Sequence, residues 1–230
     1  MASVVGIAYY PVKGCAGVTL MEATLTPDGL LDDRSYAVAD AAGGLRWQGE
    51  DPRLALITPE LRDGELTLRA PGTEPLRVTG DGAGADAWLT GFLGSPSRLV
   101  RPPAANASRL HLVSLSCLDA LNVRITERGA AALPVNRFRP NLVIDGPPTP
   151  HTGDDTPRLT IASTELAFAG RTVRCAVTMV DQETGRRAGP EPLRTLADHR
   201  RAERGVVFGA YFAVLRPGRV RVGDEVTPAL

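Results

Sequence analysis

The sequence predicts a mainly β fold with a few helices and a barrel-like core. It contains 24 Gly and 19 Pro among 230 residues. These residues are spread along the chain as turns between short runs rich in β-branched and aromatic side chains, which is typical of many short strands. Helical periodicity is confined to three segments, so strands are expected to dominate.

The first half contains five strand-like runs: 4–12, 18–25, 35–40, 65–70 and 75–80. The second run stops at Pro27-Asp28-Gly29, a sequence typical of a turn. Ala-Ala-Gly-Gly follows the third run and predicts a hairpin-like break. The last two runs are close enough to predict a strand pair.

The second half contains five more runs: 110–114, 141–145, 159–162, 173–180 and 219–226. The longest apolar stretch, 205–215, is too short to span a bilayer and predicts a buried strand or short core segment. Under this interpretation Cys175 lies within a strand.

Three helices are predicted. The first covers 85–93. The second begins at Ser116, where Ser116 and Asp119 resemble a capping box with Asp in place of Glu, and ends at Gly129. The third, polar and partly irregular, falls within 190–204. A polar stretch at 146–157 predicts a surface insertion or lid.

The segment 101–108 predicts a linker between domains at 1–102 and 108–228. Residues 1–105 carry 9 basic and 13 acidic groups, a balance of −4, whereas 106–230 carry 17 and 13, a balance of +4. Two explanations stay open: docking of the halves through opposite charges, or an anionic small ligand held by arginines of the second half. The overall balance of zero predicts no binding to nucleic acid or membrane.

Three cysteines, Cys15, Cys117 and Cys175, are too few and too far apart for a disulfide framework, a zinc ribbon or an Fe–S cluster. The N-terminal segment has no basic region before its apolar stretch, so no signal peptide is predicted. A reducing, cytoplasmic location is therefore expected. The sequence also lacks a nucleophile elbow, a phosphate-binding P-loop and a dinucleotide-binding fingerprint, and its three histidines are isolated.

Three places carry candidate chemistry. Cys175 follows Arg174, and a guanidinium near a thiol favours the thiolate; the alternative is a buried strand cysteine. Arg137 and Arg139 would share one face of an extended segment and clamp a phosphate or carboxylate; the alternative is a solvated pair. Lys13 is the single lysine beside 25 arginines, and its compact ammonium suits a phosphate; the alternative is chance.

Segments from nearly the whole chain together resemble the MOSC family, which implies an N-terminal MOSC β-barrel domain followed by a MOSC domain. In order, they are YYPVKGCAGVTL, GLLDDRSYAVAD with RWQGEDPRLALI, HLVSLSCLDALN, NRFRPNLVIDG, VRCAVTMVDQETG, EPLRTLADHRR and VVFGAYFAVLRPGRVRVGDEV. The pattern is most similar to amidoxime-reducing components and their bacterial counterparts that reduce N-hydroxylated compounds.

The resemblance implies a molybdenum cofactor, a metal held by a pterin dithiolene with a phosphate tail. It identifies Cys175 as the metal ligand and catalytic residue, because this cysteine precedes the VDQETG segment. The implied cofactor-binding residues are Lys13, Gly14, Arg34, Ser114, Ser116, Arg137, Arg139, Asn141 and Arg174. Neither an Fe–S cluster nor pyridoxal phosphate is expected in this chain.

Electrons for such a reductase are expected from a separate ferredoxin, flavin or cytochrome protein, and the substrate is expected to be a small N-hydroxylated compound. Gly14 stands where the family commonly has Ser, and Cys117 where Ser is common. Two alternatives remain: a sulfur carrier acting through a persulfide on Cys175, and a carrier of the cofactor without catalysis.

Overall fold

A computed structural model describes residues 2–80, 82–102 and 109–228 of the chain. Strands account for 41% of the protein, which confirms the mainly β prediction. The strands among the described residues are β1 (Ala2–Tyr9), β2 (Val12–Lys13), β3 (Val18–Leu20), β4 (Glu22–Thr26), β5 (Gly29–Leu30), β6 (Tyr36–Asp40), β7 (Thr58–Arg62), β8 (Glu65–Arg69), β9 (Leu76–Arg77), β10 (Ser97–Val100), β11 (Leu110–Ser114), β12 (Leu142–Ile144), β13 (Arg158–Ile161), β14 (Thr164–Val173), β15 (Val180–Asp181), β16 (Arg186–Arg187), β17 (Arg201–Ala202), β18 (Gly205–Arg216), β19 (Gly218–Arg221) and β20 (Glu225–Pro228).

Helices are few and short, as predicted. The described residues contain α1 (Ala83–Leu93), α2 (Leu115–Glu127) and α3 (Leu193–His199), with 3-10 turns at Pro52–Leu56, Val135–Phe138 and Ala176–Met179. The first α-helix ends at Gly94, whose φ of +74° suits a glycine cap. No described helix combines the length and the apolar character needed to cross a bilayer.

Seven strands close into a barrel in the order β11, β12, β1, β20, β13, β14, β18 and back to β11. All neighbours are antiparallel except β11 and β12, which run parallel. The first strand of the chain is thus a wall of a barrel otherwise built from the second half. Its interior is filled by alternating apolar side chains of these strands, including Ile7, Leu142, Leu166 and Phe212.

Smaller sheets cover one side of this barrel. Strands β10, β6 and β2 form one, β7, β8 and β9 a second, and β4 joins β5 to β19 in a third. A separate apolar core lies between the first two sheets and α1, with Val38, Leu54, Leu68 and Leu89 fully buried. The first two sheets and this core are local to the N-terminal half.

Several predicted runs are interrupted in the structure. The run 4–12 breaks between β1 and β2 at Tyr10-Pro11, because proline cannot donate to the ladder. The runs 18–25 and 219–226 each divide into two strands that belong to different sheets. Each single segment therefore connects the barrel to a neighbouring sheet.

Three local predictions are wrong. Strand β14 ends at Val173, so the run 173–180 is a loop and a 3-10 turn, and Cys175 lies at the start of that turn rather than within a strand. The segment around Phe138 is a 3-10 turn instead of an extended strand. Helix α2 begins after Ser114, not at Ser116, and Ser114 makes no side-chain cap.

Most of the predicted linker, residues 103–108, lies outside the described residues. The division into domains at 1–102 and 108–228 stays a prediction.

Candidate functional site

Three barrel strands bring polar residues to one edge of the sheet. Strand β1 ends just before Tyr10, while His111 and Asn141 lie at the start of the parallel strands β11 and β12. Backbone hydrogen bonds join them, since the Ala8 N–H donates to the Asn141 carbonyl at 2.9 Å and the Asn141 N–H donates to the His111 carbonyl at 2.7 Å. Residues far apart in sequence therefore meet at a rigid sheet edge.

Two guanidiniums lie over the ring of Tyr10. Arg139 Cζ lies 4.2 Å and Arg34 Cζ 5.0 Å from the ring centroid, within the range of cation–π interaction. The ring is buried, and its hydroxyl donates to the Pro140 carbonyl at 3.1 Å. Both arginines adopt left-handed backbone, with φ of +55° for Arg34 and +54° for Arg139. Such backbone is uncommon away from glycine and marks a constrained site.

Asp33 is the carboxylate that partners Arg34. It is 5% exposed, accepts the Tyr10 N–H at 2.7 Å and forms a salt bridge with the Arg34 guanidinium. Arg34 also lies 3.4 Å from Asn141 Oδ1. Asn141 is almost fully buried; its Oδ1 accepts the His111 N–H at 3.2 Å and its Nδ2 donates to the Ala8 carbonyl at 3.2 Å. Asn141 therefore positions Arg34 as well as joining the strands.

Arg174 reaches the same edge from the loop after β14. It donates to the Phe138 carbonyl at 2.7 Å, and its Nη1 lies 3.3 Å from His111 Nε2. Burial, with the Arg174 charge second, holds the pKa of His111 well below its usual value. A neutral ring that accepts from Arg174 at Nε2 carries its proton on Nδ1, which lies 3.4 Å from the Arg139 carbonyl.

Positive charge at this site exceeds the negative charge that faces it. We call Arg34, Arg139 and Arg174 the arginine cluster. Arg139 and Arg174 form no ion pair with any described residue, and Arg174 Nε is buried without a hydrogen-bond partner. Burial lowers the pKa of Arg139 and lowers that of Arg174 to about 10. A buried guanidinium and a partly buried one, neither paired with a carboxylate, fit an anionic ligand.

Lys13 adds a further free cation. It lies on β2, beside β6, and is partly buried. Its ammonium has no hydrogen-bond or ion-pair partner within the described residues. The next residue, Gly14, has a φ of +86°, a conformation that favours glycine. The prediction that Lys13 faces an anion is consistent with this environment and stays a prediction.

A pair of glutamine side chains links the Lys13–Gly14 segment to the arginine cluster. Gln48 is fully buried, and its Nε2 donates to the Gly14 carbonyl at 2.7 Å and to Gln182 Oε1 at 3.1 Å. Gln182 Nε2 donates back to Gln48 Oε1 at 2.9 Å, and Arg139 donates to Gln182 Oε1 at 3.2 Å. The Gln48–Gln182 pair therefore holds two loops from the two halves of the chain at fixed separation.

Cys175 is an exposed free thiol directly after Arg174. Its carbonyl accepts the Thr178 N–H at 3.1 Å and the Thr178 hydroxyl at 3.0 Å, which fixes the backbone that carries the thiol. Cys15 is buried, and burial raises its pKa to about 12, so it remains a neutral thiol. An accessible sulfur beside a basic cluster is a suitable ligand for a soft metal.

Arg137 does not share a face with Arg139, contrary to the sequence prediction. The 3-10 turn at Val135–Phe138 directs it to the Thr178 carbonyl at 3.3 Å and to Asp181 at 3.4 Å. Asp181 in turn accepts the Thr184 N–H at 2.8 Å. Arg137 therefore supports the loop that follows Cys175, and a direct contact with a cofactor stays a prediction.

Ser114 and Ser116 lie apart from the arginine cluster in their hydrogen bonding. Their hydroxyls are 2.8 Å from each other, and Ser116 donates to the Pro147 carbonyl at 2.6 Å. Ser114 lines a cavity of about 420 Å³ at one end of the barrel. Their assignment to cofactor binding stays a prediction.

Sequence reasoning missed several residues of this site. Tyr10, Asp33, His111, Gln48 and Gln182 were not singled out, although each is buried or hydrogen-bonded within the cluster. The only sequence signal for Tyr10 and Asp33 was their position beside Lys13 and Arg34. The two glutamines carry no such signal because their pairing joins residues 134 positions apart.

Comparison with known proteins gives two family matches along the chain. The model of the MOSC N-terminal beta barrel domain matches residues 1–96, and that of the MOSC domain matches residues 101–227.

Three curated relatives cover most of this chain. Mitochondrial amidoxime-reducing component 1 of Mus musculus is 32% identical over 94% of this chain and 79% of its own length. The Homo sapiens protein of the same name is 31% identical over 94% of this chain and 80% of its own length. Molybdenum cofactor sulfurase of Danio rerio is 31% identical over 89% of this chain and 31% of its own length.

Proposed function

The chain belongs to the MOSC family, and on that premise we propose that it binds a molybdenum cofactor and reduces N-hydroxylated compounds. The observation that carries the proposal is that the buried guanidinium of Arg139 and the partly buried guanidinium of Arg174 lack carboxylate partners within the described residues, next to the exposed thiol of Cys175. An anionic pterin phosphate and a soft metal are the ligands whose chemistry matches these two features.

Each predicted residue has a role in this proposal. The Cys175 thiolate binds the metal, while the arginine cluster, Lys13 and Asn141 hold the anionic parts of the cofactor. Gly14 offers its backbone N–H to the cofactor. We also propose that Ser114, Ser116 and Arg137 contact the cofactor, in addition to the hydrogen bonds that they make within the protein. Tyr10 orients two of the guanidiniums through its buried ring.

The bound molybdenum supplies reversible two-electron chemistry at an oxygen atom. The overall reaction takes an N-hydroxylated amine or amidoxime, two electrons and two protons, breaks the N–O bond, and releases the amine or amidine and water. The chain itself supplies a cationic cradle that is rigid because it is formed at a sheet edge. We propose that the electrons come from a separate ferredoxin, flavin or cytochrome protein and that the protein acts in the cytoplasm.

The decisive experiment measures molybdenum and pterin in protein purified from a host with intact cofactor synthesis. We expect close to one molybdenum per chain in the wild type and strong loss in Cys175→Ala. Cys15→Ala removes a buried thiol and serves as the matched control, with its fold checked by circular dichroism. A wild-type protein that carries neither molybdenum nor pterin refutes the proposal.

The similarity to a molybdenum cofactor sulfurase supports a second candidate, in which Cys175 carries sulfur as a persulfide. A partner persulfide transfers its outer sulfur atom to the Cys175 thiolate as its own S–S bond breaks and its thiolate leaves. An acceptor thiolate later takes the same sulfur atom from Cys175, which returns to the thiolate. Intact mass spectrometry distinguishes the candidates. Addition of one sulfur atom on Cys175, reversed by a reductant and found without molybdenum, favours sulfur transfer. If the protein binds the molybdenum cofactor but reduces no amidoxime when an artificial electron donor is supplied, the result favours a carrier of the cofactor without catalysis.

A further inference from the structure

A second group of reactive side chains lies at the end of the barrel, outside the arginine cluster. Cys117 belongs to the first turn of α2, whereas His151 and Asp154 belong to the polar segment 146–157. One potential metal-binding atom from each of the three lies within 4.8 Å of the other two. We call this group the Cys117 cluster. This cluster was not identified from the sequence, because Cys117 lies 34 residues before His151 in the chain.

Short contacts hold the cluster together. His151 Nδ1 lies 3.0 Å from Asp154 Oδ2, and Cys117 Sγ lies 3.9 Å from Asp154 Oδ1. The His151 backbone N–H donates to Cys117 Sγ at 3.3 Å. Cys117 is 4% and Asp154 7% exposed. The three donors are therefore arranged before any ligand binds, which lowers the entropic cost of binding one.

The carboxylate is oriented from outside the cluster. Arg200, just after α3, forms a salt bridge with Asp154 through Oδ2. This contact leaves Oδ1 directed towards Cys117 Sγ. His151 has a φ of +68°, an uncommon backbone conformation that the surrounding contacts hold in place. A charged partner that orients a ligating carboxylate is typical of built metal sites.

A cavity provides access to the cluster. Its volume is about 420 Å³, and Cys117, Asp154 and Ser114 line it together with apolar side chains of the barrel. A cation bound by three protein ligands would have a further coordination position facing this space. That position would accept water or the oxygen of a small anionic ligand.

We infer that Cys117, His151 and Asp154 form a binding site for a divalent cation of the zinc class. One sulfur, one nitrogen and one oxygen donor form a set that Zn²⁺ and Co²⁺ bind in tetrahedral geometry. Hard cations such as Mg²⁺ and Ca²⁺ prefer all-oxygen sets and are expected to bind poorly. The hydrogen bond that the His151 ring donates to Asp154, followed by the contact with Cys117, raises the pKa of His151 to about 9. Binding of a cation at neutral pH would therefore displace a proton from the imidazole.

Cobalt titration tests the inference directly, because thiolate ligation produces a charge-transfer band in the near ultraviolet. The experiment uses the full-length chain with Cys175→Ser, which removes the exposed thiol. We expect one Co²⁺ per chain, displaced by Zn²⁺ and by excess chelator but not by Mg²⁺. Adding Cys117→Ser should remove the band, and adding His151→Gln should weaken binding at least tenfold. His199→Gln, which removes an imidazole bonded to the Thr195 carbonyl, is the matched control and should bind like its parent.

Three results overturn the inference: no charge-transfer band in the parent, binding that survives Cys117→Ser, or equal loss in His199→Gln. Any of them would leave the cluster as a metal-free hydrogen-bond network. Circular dichroism checks the fold of each variant, and His151→Gln provides the decision if Cys117→Ser fails to fold. Because the readout is cation binding, the result is independent of the molybdenum content used to test the proposed function.

Discussion

Replacing Gln48 with Met is expected to destabilise the protein and loosen the Lys13–Gly14 segment. Met keeps the length and approximate volume of Gln, so the change isolates hydrogen bonding from packing. Three hydrogen bonds are lost, one to the Gly14 carbonyl and two to Gln182, all at a fully buried position. At about 1 kcal/mol for each bond, the free energy of unfolding should fall by about 3 kcal/mol. For a chain of this size the melting temperature should fall by roughly 6–12 °C.

A double-mutant cycle with Gln182→Met shows whether the effect comes from the pair. The two bonds between the side chains are lost in either single variant, so the double variant should be less destabilised than the sum by about 2 kcal/mol. Urea unfolding of the four proteins provides the free energies. A coupling energy below about 0.5 kcal/mol, or an unchanged unfolding midpoint in Gln48→Met, would refute the assignment.

Three further predictions concern the cofactor, pH and the barrel. Lys13→Arg should lower molybdenum retention severalfold, because the larger guanidinium cannot replace a compact ammonium. Arg98→Lys, a change at an exposed position, is the control and should not alter retention. Equal retention in the wild type and both variants would contradict the prediction. His111 has a lowered pKa in the folded state, so the unfolded state binds more protons below pH 6.5 and stability is lost as pH falls. The loss should reach at most about 1.4 kcal/mol per pH unit from this residue, and His111→Gln should flatten it in urea unfolding between pH 5 and 6.5. Gly209→Ala should lower the free energy of unfolding by at least about 2 kcal/mol, because φ is +75° and an added Cβ would lie 2.8 Å from the Leu112 carbonyl oxygen. Gly94→Ala is the control, since its φ of +74° is similar but an added Cβ would meet no atom within 4 Å, so it measures the backbone cost alone. Thermal unfolding of both variants provides the comparison.

The sequence was sufficient for elements whose pattern is local. Strand β18 is a long apolar run, α1 has helical spacing, and both were predicted close to their observed bounds. The sequence was insufficient where a turn redirects the chain. Arg139 and Arg34 adopt a left-handed backbone conformation that their residue type does not predict. The direction of Arg137 relative to Arg139 was therefore predicted wrongly. Local propensity says little about such positions, because tertiary contacts stabilise them.

The residues of the site also divide into those that a sequence signal identifies and those that only the fold reveals. Cys175 and Lys13 were found because a motif or a compositional exception marks them. His111 and Gln48 are ordinary residues in sequence, and their roles come from burial beside a guanidinium or a backbone carbonyl. Closure of the barrel brings His111 and Arg174 together, and closure depends on strand pairing between distant segments that single-sequence patterns do not encode.

Local contacts explain how the chain accommodates the buried Arg139 and the partly buried Arg174 without carboxylate partners among the described residues. The guanidiniums of Arg139 and Arg174 gain partial compensation from the Tyr10 ring and the Phe138 carbonyl. Neither contact carries a full negative charge, so desolvation is only partly offset. Strands β1, β11 and β12 hold the backbone of Tyr10, His111 and Asn141 in place beside these cations. The proposed anionic ligand would supply the negative charge that these contacts lack, and its binding would therefore offset the remaining cost of desolvating the guanidiniums.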